Sequence, residues 1–418
     1  MEMVKETIFK RQSQFFPLFG SLLLFSLLFS SCSMHWSKAL RKGQVQETPF
    51  RQKMSATNKG GLLFLPVYLK GKEYLFLFDS GAPTSISKEL QKEWGYEQIS
   101  SGKMVDTDGN RFAIDYIQID EIKIGGISFL DQTAFVADFN ANPILECLEI
   151  DGIVGSNLMR FCNWEIDLVK EEVELFSSID SSQIQDYTAI PFRTDMQFNV
   201  LVDLLIDSLK VRNITLDFGS NGFLNLPEHS FNALEESKAI SAIATEVGWS
   251  QSGLSGSRIM QTEKIAIIDS LSIGGLGLEN IKVSSGTSKL IGLKALANYT
   301  ILIDWDQYKL YLKKEKNTPK DYRSMGFSLG VMHDTSFYIQ SVYKNSKAEQ
   351  NGLRPNQKVV ALNDFVFNKN ATFCDYVSLM SSYPDEMHIR YINEEGLNEE
   401  MRLTKVDLVF TPIADPNK

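Results

Sequence analysis

"FLFDSGAPTS", residues 76–85, drives an apolar run into an aspartate and then directly into a glycine turn. Burying a carboxylate is costly unless it is paired or hydrogen-bonded, so a strand that delivers Asp79 in this way needs something facing it. Alone, D-S-G also reads as a plain turn, because Asp and Gly favour turns for local reasons. The rest of the chain decides between the two. "ITLDFGSNGF" (214–223) repeats the pattern with Asp217 and Gly219. "IDEIKIGG" (119–126) returns as "IDSLSIGG" (268–275), and "DGIVGSNLMRFCNWEIDLVKEEVEL" (151–175) returns as "KLIGLKALANYTILIDWDQYKLYL" (289–312).

The spacing marks a duplication. Asp79 lies 76 residues before Gly155, and Asp217 lies 75 before Gly292. Asp79 to Asp167 spans 88 residues and Asp217 to Asp304 spans 87. The I-G-G landmark is offset, which predicts a longer hairpin or loop between Asp217 and Ile273. Short β-branched and aromatic segments separated by turn signals such as Asp108-Gly109 make both copies β-rich. Asp167 and Asp304 also repeat, and their position after the late glycine suits turn-fixing. A polar joint, "SSIDSSQIQD" (177–186), separates the copies, and the charged, Pro-bearing "KKEKNTPK" (313–320) leads to a third region.

Each copy resembles a lobe of a retropepsin-type aspartic protease, with an apolar strand, D-[TS]-G-[AST], a flap hairpin, an I-G-G-like turn and a late apolar-apolar-Gly segment. The matching residues are Asp79-Ser80-Gly81-Ala82 with Gly152-Ile153-Val154-Gly155, and Asp217-Phe218-Gly219-Ser220 with Leu290-Ile291-Gly292. The resemblance implies a pseudo-dimer of two β-barrel lobes on one chain. It also implies that Asp79 and Asp217 form a catalytic dyad sharing one proton and activating a water, with Ser80, Gly81, Gly219 and Ser220 supporting the loops. Phe218 departs from the family's Thr or Ser, so one half of the cross-lobe hydroxyl brace is expected to be missing. The loss of one hydrogen bond predicts that Phe218→Thr leaves the fold intact. "VDTDGNRF" (105–112) and "VGWSQSGLSGSR" (247–258) are the flap candidates, the second reading either as a mobile lid or as a surface loop.

Residues 324–330, "SMGFSLG", and 338–364, with Ala348, Gly352, Leu353, Val359, Leu362 and Asn363, resemble a PDZ domain, an α+β fold. "FCDYVSLMS" (373–381) fits its groove helix. This resemblance implies that amides of Met325, Gly326 and Phe327 receive the carboxylate of a C-terminal peptide ligand. The other reading is a packing module that binds no peptide.

At the N-terminus, Lys5, Lys10 and Arg11 precede the apolar run 15–29, followed by Ser30, Ser31 and Cys32, the pattern of an export signal. It resembles a bacterial lipobox, which implies lipidation at Cys32 and a membrane tie. A plain signal peptide or a membrane anchor are the alternatives. The domain map is therefore a signal at 1–31, a tether at 32–60, lobes at 61–178 and 187–313, and the PDZ-like domain at 321–412.

A net charge of −10 argues against a nucleic-acid partner. Cys147, Cys162 and Cys374 show no metal-type spacing, and with four histidines outside any ligand motif no metal and no cofactor are expected. Cys147 and Cys162 are close enough in sequence to bridge, but the expectation is three buried thiols. The combined reading is an envelope-tethered aspartic endopeptidase acting on protein or peptide substrates, lipid-anchored at the outer membrane and facing the periplasm. The alternative is a non-catalytic peptide-binding scaffold or sensor with a degenerate protease fold.

Overall fold

The computed structural model describes residues 35–413 except 46–48, 107–108, 251–252, 255–257, 317–319, 333–335, 368–371 and 382–383. Cys32, the apolar run before it and the tip residues 107–108 of the first flap candidate lie outside the described residues. The protein is mainly β, 54% strand and 13% helix.

Local sequence sets the first half. Leu62–Leu69 and Lys72–Asp79 pair antiparallel across a tight turn in which Lys70 (φ 49°) and Gly71 (φ 82°) both take positive φ, the geometry that matches strand twist in a two-residue hairpin. After Asp79 come the short strand Ser85–Ser87 and the helix Lys88–Trp94. Ser87 caps that helix by accepting from Leu90 N, and left-handed Gly95 ends it. The long hairpin Glu97–Val105/Arg111–Ile124 follows, and Gly125-Gly126 turns the chain into Ile127–Ala137. The strand Gly152–Gly155 then slots beside Lys72–Asp79 in parallel and beside Ser85–Ser87 antiparallel, with Gly155 opposite Asp79.

The second half repeats this order. Val200–Ile206 and Leu209–Asp217 pair antiparallel. Leu224–Pro227, the helix Glu228–Glu236 and the hairpin Ala242–Ser250/Ile259–Ile273 follow. Leu290–Gly292 runs parallel to Leu209–Asp217, with Gly292 opposite Asp217, and antiparallel to Leu224–Pro227. The extra residues before Ile273 are shared between the turn-and-helix stretch and the hairpin.

A six-stranded antiparallel sheet joins the halves, in the order Thr188–Pro191, Lys309–Lys314, Tyr299–Asp304, Asn163–Asp167, Glu172–Phe176, Arg51–Ser55. Its centre is the pairing of Trp164 with Ile303 and of Asp167 with Thr300. Asp167 Oδ1 accepts from the Val169 and Lys170 amides, and Asp304 Oδ1 from the Gln307 amide, so both aspartates pin turns. One buried cluster runs through both halves, from Phe76 and Phe78 through Trp164 to Leu216, Phe218 and Ile303.

Two expectations are corrected. Among the described residues, 35–45 and 49–59 are not a free tether. Trp36–Ala39 is helical, Ala39 and Leu40 are fully buried, Gln44–Val45 pairs with Ile127–Ala137, and Arg51–Ser55 is the edge strand of the joining sheet. This stretch has no periodic pattern of its own, so the sheet edge that recruits it is not visible locally. The three-thiol expectation also fails: Cys147 and Cys374 form a disulfide across 227 residues, while Cys162 is a buried free thiol. Folding brings together the helices Pro143–Leu148 and Phe373–Ser381 that carry the bridged pair, and sequence spacing cannot report that.

The C-terminal unit has its own buried cluster, from Met325 to Leu403. Phe327–Val331 and Phe337–Tyr343 pair antiparallel, Lys358–Leu362 and Glu386–Ile392 extend the sheet, and the helix Phe373–Ser381 lies beside it. Its strand Phe337–Tyr343 also pairs with Ala242–Ser250, so the second half and the C-terminal unit share one continuous sheet.

Candidate active site

Asp79 and Asp217 each end an apolar strand held by its inserted partner strand, and the two carboxyl groups lie close enough to couple. Two loops of like form cradle them. Gly81 N donates to Asp79 Oδ1 at 2.7 Å, and Gly219 N from the opposite loop donates to the same oxygen at 3.2 Å. Behind the loops, Ser156 N donates to Ala82 O in one half and Leu293 N to Ser220 O in the other, both at 2.9 Å. The glycines are required by reciprocal approach. A Cβ on Gly81 would lie 2.7 Å from Asp217 Cγ, and one on Gly219 would lie 2.4 Å from Asp79 Oδ2.

Ser80, fully buried, makes both bonds of the cross-half brace by itself. Its Oγ donates to Leu216 O at 2.6 Å and accepts from Phe218 N at 3.3 Å. Phe218 returns no such bond, and its ring stacks on that of Phe78, centroids 5.7 Å apart. Ser220 Oγ accepts from Gly222 N, so this hydroxyl shapes the loop.

Burial raises both acids. At Asp79 the amides of Gly81 and Gly219 with the neighbouring Asp217 carboxyl pull the value back. Burial first, and then the facing Asp79 charge, lift Asp217 well above the usual carboxylate range. The two carboxyls therefore titrate as one coupled pair, in which a single proton is shared once the first acid has ionised. An ionised acid and a protonated acid in contact suit activation of a water against a carbonyl carbon.

The two hairpin tips meet. Asn142 Nδ2 donates to Gly253 O at 2.8 Å, and Gly253 lies so close to Asp106 that a Cβ on it would be 2.4 Å from Asp106 Oδ2. Asn142, which also caps the helix Pro143–Leu148, carried no sequence signal. Nor did Thr84 and Asn157, which tie the first loop to the strand and helix behind it: Gly155 N donates to Thr84 Oγ1 and Thr84 N to Asn157 Oδ1.

Met325, Gly326 and Phe327 open the strand Phe327–Val331 of the C-terminal unit, away from the aspartates in sequence and in sheet order. Gly326 N already donates to Ser324 Oγ at 3.0 Å. A ligand carboxylate at this loop would have to displace that hydroxyl.

A family model described as aspartyl protease matches residues 65–158, which include Asp79 and Gly152–Gly155 but not Asp217. No curated protein matches the chain. The match supports a peptidase-type enzyme acting on peptides or proteins.

Proposed function

We propose that the two halves are the lobes of an internal aspartic-protease pseudo-dimer and that Asp79 and Asp217 hydrolyse peptide bonds. The observation that carries this reading is the direct carboxyl pair, each acid packed against the glycine of the other's loop. Asp79 takes a proton from a water while the water oxygen bonds to the scissile carbon. Asp217 passes its proton to the carbonyl oxygen. As the tetrahedral centre collapses, the C–N bond breaks, Asp79 hands its proton to the departing amine, and Asp217 regains one from the gem-diol hydroxyl. No covalent intermediate forms.

In this reading the C-terminal unit is a PDZ-like domain that recruits or regulates, supported by the strand Phe327–Val331, which pairs along one edge only among the described residues. The chain is an envelope lipoprotein tied through Cys32, a reading supported by the apolar run 15–29 and the small residues before that cysteine. Phe218 in place of a hydroxyl favours a second reading, a non-catalytic peptide-binding scaffold. The two are separated by incubating the purified protein with an unfolded protein substrate. Cleavage that is lost in both Asp79→Asn and Asp217→Asn, and is insensitive to a metal chelator, is the expected result. Cleavage surviving either substitution rejects the dyad, and none in the wild type under either redox condition favours the scaffold.

A further inference from the structure

The hairpin Ala242–Ser250/Ile259–Ile273 of the second half corresponds in order to Glu97–Val105/Arg111–Ile124 of the first, and the tips of the two meet through Gly253 and Asp106. The first hairpin is held by the N-terminal stretch, where Trp36 stacks on Tyr116, and the second by the C-terminal unit. The second hairpin's strand Ala242–Ser250 pairs with Phe337–Tyr343 of the C-terminal unit, with Glu246 opposite Tyr343, Val247 opposite Val342 and Gly248 opposite Ser341. Gly248 lets the two backbones close up, since a Cβ there would lie 2.3 Å from Gln340 O. Side chains fasten the joint: Trp249 Nε1 donates to Asn356 Oδ1 at 2.7 Å, Gln340 Nε2 donates to Trp249 O at 2.8 Å, and Ser341 Oγ donates to Glu246 Oε1.

The C-terminal unit is in turn tied to the first half. Cys374 on its helix Phe373–Ser381 is bonded to Cys147 on the helix Pro143–Leu148, and both cysteines are half-buried. Asn142, which caps that second helix, is the residue that binds Gly253 O. The connections close a ring running from the first half through the disulfide, the C-terminal sheet and the hairpin, back to Asn142. The C-terminal cluster shares no residue with the buried clusters of the halves, so strand pairing and the disulfide stand in for a common core.

We propose that this ring is a redox-gated strap. The disulfide keeps the C-terminal unit docked and the tip of the second hairpin held on the first half, with Gly253 at Asn142 and Leu254 packed on the cluster that holds Leu77 and Ile153, and a dithiol reductant frees it. In the step, a dithiol thiolate attacks one sulfur of Cys147–Cys374, a mixed disulfide forms, and the second thiol of the reductant resolves it. The protein gains two electrons and two protons as two thiols, and the reductant leaves as a disulfide. A cleft open in only a small fraction of molecules limits access by that fraction, so release raises turnover of a polypeptide. The proposal deepens the reading of the dyad as a peptidase and rests on it for that last consequence alone.

The test uses the full-length protein oxidised, reduced with dithiothreitol, and as Cys147→Ser and Cys374→Ser. Amide hydrogen exchange reports the strap without any need for catalysis. The expected result is exchange in 242–250 faster by about tenfold or more on reduction or in either variant, a closed state giving way to a mixture, with 72–79 and 209–217 unchanged. Cleavage of an unfolded protein should rise by a similar factor. Gly248→Ala in the oxidised protein should mimic reduction. Unchanged exchange in 242–250, or exchange that rises equally throughout, overturns the strap and leaves the disulfide a simple brace. Selective opening with no cleavage in any form supports the strap and rejects the dyad as a peptidase.

Discussion

Phe218 occupies the position where a second hydroxyl would complete a reciprocal brace, yet it is 1% exposed and stacks on Phe78 inside the core shared by both halves. Burial therefore gives a threonine there a packing cost that a count of one lost hydrogen bond leaves out. Phe218→Thr removes most of a buried ring, and we expect a loss of about 3 kcal/mol, as for large-to-small core changes, seen as a lower thermal midpoint without a gain in activity. Ser80→Ala acts differently, leaving the buried Phe218 amide without a partner at a cost of about 1–3 kcal/mol. Gly219→Ala would force a methyl to within 2.4 Å of Asp79 Oδ2. Displacing the carboxylate by about 1 Å should lower kcat by about a hundredfold with KM little changed, read from steady-state kinetics on a peptide. At this scale Asp79, Asp217 and the loop glycines were legible, because their chemistry is written in contiguous motifs. The role of Phe218 was not, because its partner Phe78 sits 140 residues away and meets it only across the pseudo-symmetric interface.

The duplicated elements were legible through their repeated order, since apolar strand, glycine loop, hairpin and inserted strand recur at nearly constant spacing. What attaches to them from outside was not: the edge strand Arg51–Ser55 and the pairing of Ala242–Ser250 with the C-terminal sheet depend on edges left open by the rest of the fold. That second joint carries a titratable pair. Glu246 and Glu263 are direct cross-strand neighbours. Burial first, then the Glu246 charge, push Glu263 up to about 7, while Ser284 and Lys282 oppose this. The folded state thus holds a proton on Glu263 that the unfolded chain, at the ordinary value of 4.5, releases earlier. Stability from this group is complete below about pH 4.5, is lost as pH rises, and is gone above about pH 7, a change of at most about 3 kcal/mol. Glu263→Gln should therefore raise the thermal midpoint at pH 8 and leave it unaltered at pH 4. A midpoint that is lower at pH 8 would show that the ionised side chain is held by its serine and lysine neighbours.

Across the whole molecule, two kinds of connection coexist. The halves share one buried cluster and a six-stranded sheet to which each contributes three strands, so neither can open without exposing the core of the other. The C-terminal unit has a separate cluster and is joined by the pairing of Ala242–Ser250 with Phe337–Tyr343 over three residue pairs and with Thr411–Pro412 over two, by hydrogen bonds such as Lys344 N to Thr245 O, and by the disulfide. The bridge ties the C-terminal unit to the first half across 227 residues of chain, and so limits how far the unit can move once its strand pairing opens. Removing the bridge should therefore lower the stability of the C-terminal unit far more than that of the halves. The chain supplies its own probe, because all five tryptophans lie at or before Trp305, within the two halves. In Cys374→Ser, circular dichroism should show two thermal steps, whereas tryptophan fluorescence should follow only the upper one, near the wild-type midpoint. The lower step should be silent in fluorescence except for a small contribution from Trp249, whose indole N–H is bonded to Asn356. If both probes instead report one shared, lowered transition, the C-terminal unit is an integral part of the catalytic core, and it cannot move as the strap requires without unfolding the site it controls.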